Sequence, residues 1–366
     1  MKTLLARHIG LLIKIGIAFG VLWAIAMLLI FWGSGTEETK QALASGKRFI
    51  IHIADGKIEG AAPPVLEKKA DAKPEIPISP PPENEELPAG AVESVAVQVS
   101  STPITPASDD LVDKNTGVPL PKISDAGVKP WQHYSKIFRR QNELPMIAII
   151  VTGLGHSKHE TELALGLDDR IGLSFSPYAN AIANWTNSAR LTGHEMYVDL
   201  PLQSAGYPND DPGPYSILAS RSNTENAKNL SWAMSRFQGY VGLVAPPGEV
   251  VTRSVDTFAP LRDEISTRGL MVLIGHEAAL PPEKNKDKQK LVAMNADVWI
   301  DEELSEMSMQ ARLATLEQVA QRNGMAIGIV RSYPLSLTQI KLWQETLGSR
   351  GIVLTPASFI TKLKYP

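Results

Sequence analysis

Apolar and polar positions alternate in three distinct regimes along this chain. Ile15 to Trp32 is an uncharged run of eighteen residues, extended toward the N-terminus by Ile9 to Ile13. At a 1.5 Å rise per residue such a helix reaches about 30 Å, one bilayer crossing. Lys2, Arg7 and Lys14 precede or enter the run, while Glu37 and Glu38 follow it. The positive-inside rule then leaves the N-terminus in the cytoplasm and the remainder outside. The pattern predicts an uncleaved inner-membrane anchor over residues 1–35, with 9–32 in the bilayer and the C-terminal domain in the periplasm. A cleaved signal peptide is the alternative, but the apolar core is long for one, and the nearest small-x-small triplet, Ala42-Leu43-Ala44, lies about ten residues beyond it.

The second regime is polar. Within residues 36–60, Lys47 to Glu59 alternates apolar and polar positions around Asp55-Gly56, the signature of a short hairpin. Residues 61–128 are rich in proline, alanine, serine and mixed charge with few aromatics, so they bury too little apolar surface to offset their ordering entropy. They predict a disordered, semi-extended linker.

The third regime, 129–366, is globular. Strand-length apolar runs at Ile147–Val151, Gly172–Ser176, Met196–Leu200, Tyr240–Val244, Leu270–Ile274, Asp297–Asp301, Ala326–Val330 and Gly351–Leu354 are separated by helical patterns, including one ending at Leu167, Ala179–Leu191, Ser308–Asn323 and Ser336–Leu347. Strands apolar on both faces, with helices between them, predict a parallel sheet or an α/β barrel. Gly193, Gly269, Gly324 and Gly351 stand where left-handed helix caps belong.

Composition narrows the function. A net charge of -3, with no basic block, argues against a nucleic-acid partner. The absence of cysteine is compatible with an oxidising compartment without requiring one.

Several strings between Trp131 and Ser358 resemble, in order and spacing, the divergent polysaccharide deacetylase family of bacterial envelopes: IAIIVTGLGHS at Ile147, LSFSPYA at Leu173, GHEMYVDLPLQ at Gly193, NDDPGPYSIL at Asn209, GYVGL at Gly239, RGLMVLI at Arg268, DVWID at Asp297 and AIGIVRSYP at Ala326. The resemblance implies a distorted (β/α) barrel acting on acylated cell-wall glycan. It also implies a divalent metal, held by carboxylate and imidazole, that polarises the amide carbonyl and activates water.

The ligands do not carry over. Where the family follows its first strand with two acids, this chain has Thr152 and Gly153. Where the family offers Asn-Asn-His, it has Ala245-Pro246-Pro247. Leu-Pro-Met-Glu becomes Leu200-Pro201-Leu202-Gln203, and the late Gly-His-Pro turn becomes Arg331-Ser332-Tyr333-Pro334. Asp301 is the best surviving match. No cofactor is therefore expected, zinc entering only if the ligands have been rearranged in an active N-deacetylase.

Strand C-termini nominate Thr152, His156, Ser176, Tyr178, Asp199, Gln203, Glu249, Arg253, His276, Glu277, Asp301, Arg331 and Thr355 as mouth residues. Asp199, His276 and Asp301, with Glu277 beside them, are the catalytic candidates, as acid, base or relocated ligands, with glycan contact and structural hydrogen bonding as the competing readings. Tyr178, Gln203 and Arg331 are the glycan-binding candidates, and Trp185, Tyr207 and Tyr215 are further rings for sugar stacking or ordinary loop packing. Arg331 suits either a ligand carboxylate or an internal ion pair with Asp301. His156 and His159 share a helix face, but their spacing with Glu160 matches no zinc-protease motif. Asn209 to Pro214 reads as a rigid turn rather than a calcium loop. The expected partners are cell-wall glycan or wall-remodelling proteins.

Overall fold

The computed structural model describes residues 104–245, 249–275 and 290–366, together with Ile53–Ala54 and Lys57–Ile58. The chain divides into two units, 1–92 and 93–366. In the first unit Ile53–Ala54 runs antiparallel to Lys57–Ile58, with Ile53 opposite Ile58. The predicted span at residues 9–32 lies outside the described residues, among which no helix is long and apolar enough to cross a membrane.

The second unit is a curled parallel sheet wrapped by helices. Its strands are β1 Met146–Leu154, β2 Gly172–Phe175, β3 Met196–Asp199, β4 Gly242–Ala245, β5 Met271–Ile274, β6 Val292–Asn295, β7 Val298–Trp299, β8 Met325–Arg331 and β9 Val353–Leu354. They lie in the order β6-β5-β4-β3-β2-β1-β8-β7, with β9 pairing the start of β1. The segment 292–299 joins the two edges of the sheet. Its first half pairs with β5 and its second with β8, and between them Ala296 N–H donates to Ile274 O while Asp297 N–H donates to Ile327 O, both at 2.8 Å. Ile147, Ile149, Ile150 and Val151 are fully buried on both sides of the sheet, which is why the strands read as continuous apolar runs.

The main helices are α1 Lys158–Leu165, α2 Ile182–Leu191, α3 Asn223–Met234, α4 Val255–Thr267, α5 Glu306–Asn323, α6 Pro334–Thr346 and α7 Ala357–Lys364. Their starts follow capping chemistry. Ser157, Ser254 and Ser305 each accept a backbone N–H from the first turn, and Ser222 with Glu225 forms a full capping box. The four glycines expected as left-handed caps all have positive φ.

Two expectations need correction. The linker was expected to extend to residue 128, but residues 104–128 are packed onto the barrel. Ile104, Leu111 and Leu120 are buried, Val112 pairs with Pro121, Ser108 N–H donates to Tyr134 Oη at 3.0 Å, and Arg190 Nη1 donates to Thr105 O at 2.7 Å. A few apolar anchors and borrowed donors hold a stretch whose own composition does not predict order. In addition, β6 was not expected, and the predicted strand Asp297–Asp301 contracts to Val298–Trp299. Asp297 and Ile300 still pair through their backbones with Ile327 and Ile329.

The end of the sheet where the strands begin is tied by a buried polar network. Lys136 Nζ contacts Asp169 Oδ2 at 2.8 Å and Gly193 O at 3.0 Å, with both charged side chains more than nine-tenths buried. Glu195, 1% exposed, accepts from Lys136 N–H at 2.8 Å, from Tyr197 Oη at 2.8 Å and from the Ser358 hydroxyl. One carboxylate thereby connects the segment before β1, the start of β3 and helix α7.

Candidate site at the barrel mouth

The register shift in β1 between Val151 and Leu154 shapes the opposite, C-terminal end of the sheet. Gly153 sits there at φ +79, a conformation with little steric cost for glycine alone. Its N–H points at Asp199 Oδ2, 2.7 Å away, and its carbonyl accepts from Ser332 Oγ at 3.1 Å. The second oxygen of Asp199 accepts from Ser174 Oγ at 2.5 Å. A Cβ at 153 would lie 3.4 Å from Ser332 Oγ. That is ordinary contact, so the cost of a side chain here comes from the backbone angle rather than from crowding at Cβ.

Burial drives the Asp199 carboxyl up to about 6, against the opposing donations from Ser174 and Gly153. The folded chain thus retains a proton that the unfolded chain releases near the ordinary value of 3.8. Its contribution to stability is present below about pH 4 and is lost as pH rises through about 6. Asp199→Asn, which cannot ionise, should gain about 2–3 kcal/mol relative to the parent between pH 4 and pH 7. Urea unfolding of both proteins across that range measures the divergence, and parallel curves would contradict it.

Across β1 on the other side, Asp301 is fully buried directly after β7. Its carboxylate accepts from Arg331 N–H at 3.2 and 3.1 Å and from Ser336 Oγ at 2.7 Å. The in-register pairing of β8 with β1 sets Arg331 beside Thr152. The Arg331 side chain returns to the same acid, with Nε 3.5 Å from Asp301 Oδ2 and Nη2 donating to Asp301 O. Its guanidinium carbon lies 4.9 Å from the Tyr333 ring centre and 5.7 Å from that of Trp299. The internal ion pair is therefore present.

Of the catalytic set, Asp199 and Asp301 lie on opposite sides of the β1 end, each already engaged by a neighbouring N–H and a serine hydroxyl. His276 and Glu277, and the side chain of Glu249, lie outside the described residues. Gln203 is turned to its own loop, where Oε1 accepts from Ala219 N–H at 2.9 Å. Thr152, Ser176 and Thr355 are buried, whereas Arg253 is exposed. His156 and His159 are exposed at the start of α1, where Ser157 supplies the cap. The Asn209–Pro214 segment is a turn in which Gly213 N–H donates to Asp211 Oδ1 at 2.9 Å.

Tyr178 belongs to a ring cluster. Tyr215 stacks on Trp232 at 4.0 Å and 13°, Tyr178 lies 4.9 Å from Trp232, and Tyr178 Oη accepts from Tyr215 N–H at 2.9 Å. Arg236 covers Trp232 at 5.3 Å, and Tyr215 is 43% exposed. The sequence reading did not include Trp232. Its only local signal is the Ser222–Glu225 box that starts α3, because a tryptophan in such a helix reads as core.

Among the described residues, those at the mouth fit a divalent metal poorly. Thr152 and Gly153 supply no charge, Gln203 is a neutral amide already engaged, and both carboxylates direct their lone pairs at protein donors. Among the described residues no three His, Asp or Glu side chains are grouped to hold a metal.

A family model described as divergent polysaccharide deacetylase matches residues 149–361. Among solved structures, the crystal structure of an uncharacterized protein from Agrobacterium tumefaciens C58 is similar at 28% identity and a TM-score of 0.60, covering 66% of this chain and 99% of that one. The Bacillus subtilis peptidoglycan deacetylase PdaC is similar at 13% identity and a TM-score of 0.36, covering 61% of this chain and 92% of that one. No curated protein matches.

Proposed function

The chain belongs to the divergent polysaccharide deacetylase family, and from that membership we propose that it binds cell-envelope glycan through the barrel mouth and its flanking rings, without removing acetyl groups. The observation that carries this reading is the mouth's donor set. Gly153 N–H and Ser174 occupy the Asp199 carboxylate, and Arg331 N–H and Ser336 occupy that of Asp301, so neither acid is poised to grip a cation. What remains toward solvent is suited to binding saccharide: the exposed parts of the Tyr215 and Tyr333 rings, each packed on one neighbour, and the part-exposed Arg331 guanidinium.

The setting we propose is the periplasm, with residues 9–32 anchored in the inner membrane and a proline-rich spacer carrying the domain toward the wall. The hydropathy and charge order of the N-terminus support that placement. A metal-dependent N-deacetylase is the alternative, and the elevated Asp199 carboxyl favours it as a proton carrier.

Co-sedimentation of the full-length chain with purified peptidoglycan sacculi tests the binding. The parent should pellet, and Tyr215→Ala should weaken binding about tenfold, as loss of one stacked ring implies. Failure of the parent to pellet would remove the reading.

A further inference from the structure

Arg331 is half-buried at its strand end and contacted on several sides, and the way it is held leaves one particular edge open. Its Nη2 donates to the carbonyl of Asp301 and its Nε lies 3.5 Å from Asp301 Oδ2 without a hydrogen bond. In a planar guanidinium these two nitrogens share one edge, so that edge faces Asp301. The end-on edge, Nη1 with the second hydrogen of Nη2, is directed away, and among the described residues Nη1 has no hydrogen-bond partner. Trp299, nearly buried, and Tyr333, 41% exposed, hold the guanidinium from its other sides.

Asp301 pairs with this charge but leaves part of its hydrogen-bonding capacity unused. It is fully buried, and its oxygens are shared among the Arg331 backbone N–H and the Ser336 hydroxyl, so the ion pair lacks the two-bond fork that would satisfy the guanidinium. A partly exposed cation therefore presents two parallel N–H donors beside an exposed aromatic ring. Two parallel donors match the two oxygens of a carboxylate, and a tyrosine face matches the C–H face of a pyranose.

We propose that the ligand of this mouth is a carboxylate-bearing saccharide of the uronic acid type, and that Arg331 selects it over neutral glycan. This rests on the glycan-binding reading above and specifies its substrate class. Arg331 and Tyr333 contact the sugar acid; Asp301 and Trp299 position Arg331.

The test is calorimetric titration of the full-length chain at low salt with three probes: tri-galacturonate, chitotriose and glucose 6-phosphate. Tri-galacturonate should bind about tenfold more tightly than chitotriose, the increment of one charge-assisted fork. Arg331→Gln should erase that preference, bringing tri-galacturonate down to the affinity of chitotriose for the same variant. Arg331→Lys, which keeps the charge but not the fork, should restore only part of it; this variant keeps the test usable if the glutamine protein fails to fold. Equal binding of tri-galacturonate and chitotriose by the parent, a preference that survives in Arg331→Gln, or glucose 6-phosphate binding as tightly as the uronate would each overturn the inference while leaving glycan binding standing. Binding of none of the three would overturn both.

Discussion

Replacing Lys136 with methionine is expected to remove about 3–5 kcal/mol of folding stability, the usual consequence of stranding one member of a buried ion pair. Methionine preserves most of the lysine's volume, so the loss isolates charge from packing. Asp169 is 8% exposed and its Oδ1 already has no hydrogen-bond partner. Lys136 Nζ, at 2.8 Å from Oδ2, is what offsets its burial. Without it, Gly193 O also loses a donor. The sharper form of the prediction is a cycle. Lys136→Met combined with Asp169→Leu should recover most of the lost stability, because no charge is then left buried. Urea unfolding of the four proteins reads the coupling directly, and additive losses would show that the pair does not act as one.

The second large effect is steric. Gly242 lies opposite Met271 in the pairing of β4 with β5, and a Cβ there would lie 2.3 Å from Met271 O and 2.9 Å from its carbonyl carbon. Those are backbone atoms of a hydrogen-bonded neighbour, so the strands must separate to admit even alanine. Gly242→Ala should therefore cost about 3 kcal/mol or more, the upper end of overpacking. Gly324→Ala is the internal comparison. Nothing lies within 4 Å of its Cβ position and only a φ of +78 opposes it, so it should cost about 1–2 kcal/mol. Thermal unfolding of both variants ranks them, and equal shifts in melting temperature would mean that strand contact is not what Gly242 protects.

The strand framework was legible because a parallel sheet covered by helices needs apolar side chains on both faces. Ile147 to Val151 and Met271 to Ile274 show that pattern without interruption. Val292–Asn295 does not: its outward positions, Ala293 and Asn295, are not apolar side chains of strand type, and its role in joining the sheet edges depends on backbone bonds that composition does not encode. The packed segment 104–128 was hidden for a related reason. Its order comes from donors elsewhere, Arg190, Gln238 and Arg268, reaching its carbonyls.

The candidate site was legible in residue type and not in occupancy. Asp199 and Asp301 are recognisable as acids at strand ends, and the Arg331–Asp301 pair was foreseeable from neighbouring ends. That Gly153 donates its N–H to Asp199 depends on a positive φ inside a β-bulge. A glycine at 153 therefore supplies no acid of its own while its N–H engages the acid from β3. Gln203 illustrates the converse: it is placed as a ligand-facing amide by its motif, yet it is engaged by Ala219 across a loop whose path the sequence does not specify.

Among the described residues, the acids at this barrel mouth are committed to protein donors and do not assemble a metal centre. Zinc titration of the full-length chain, followed by calorimetry and elemental analysis with acetate release from chitooligosaccharides monitored in the same samples, addresses it most directly. Zinc binding should be weak, sub-stoichiometric and unchanged in Asp301→Ala, with no acetate released. One tightly held zinc per chain, with acetate release that Asp301→Ala abolishes, would contradict it.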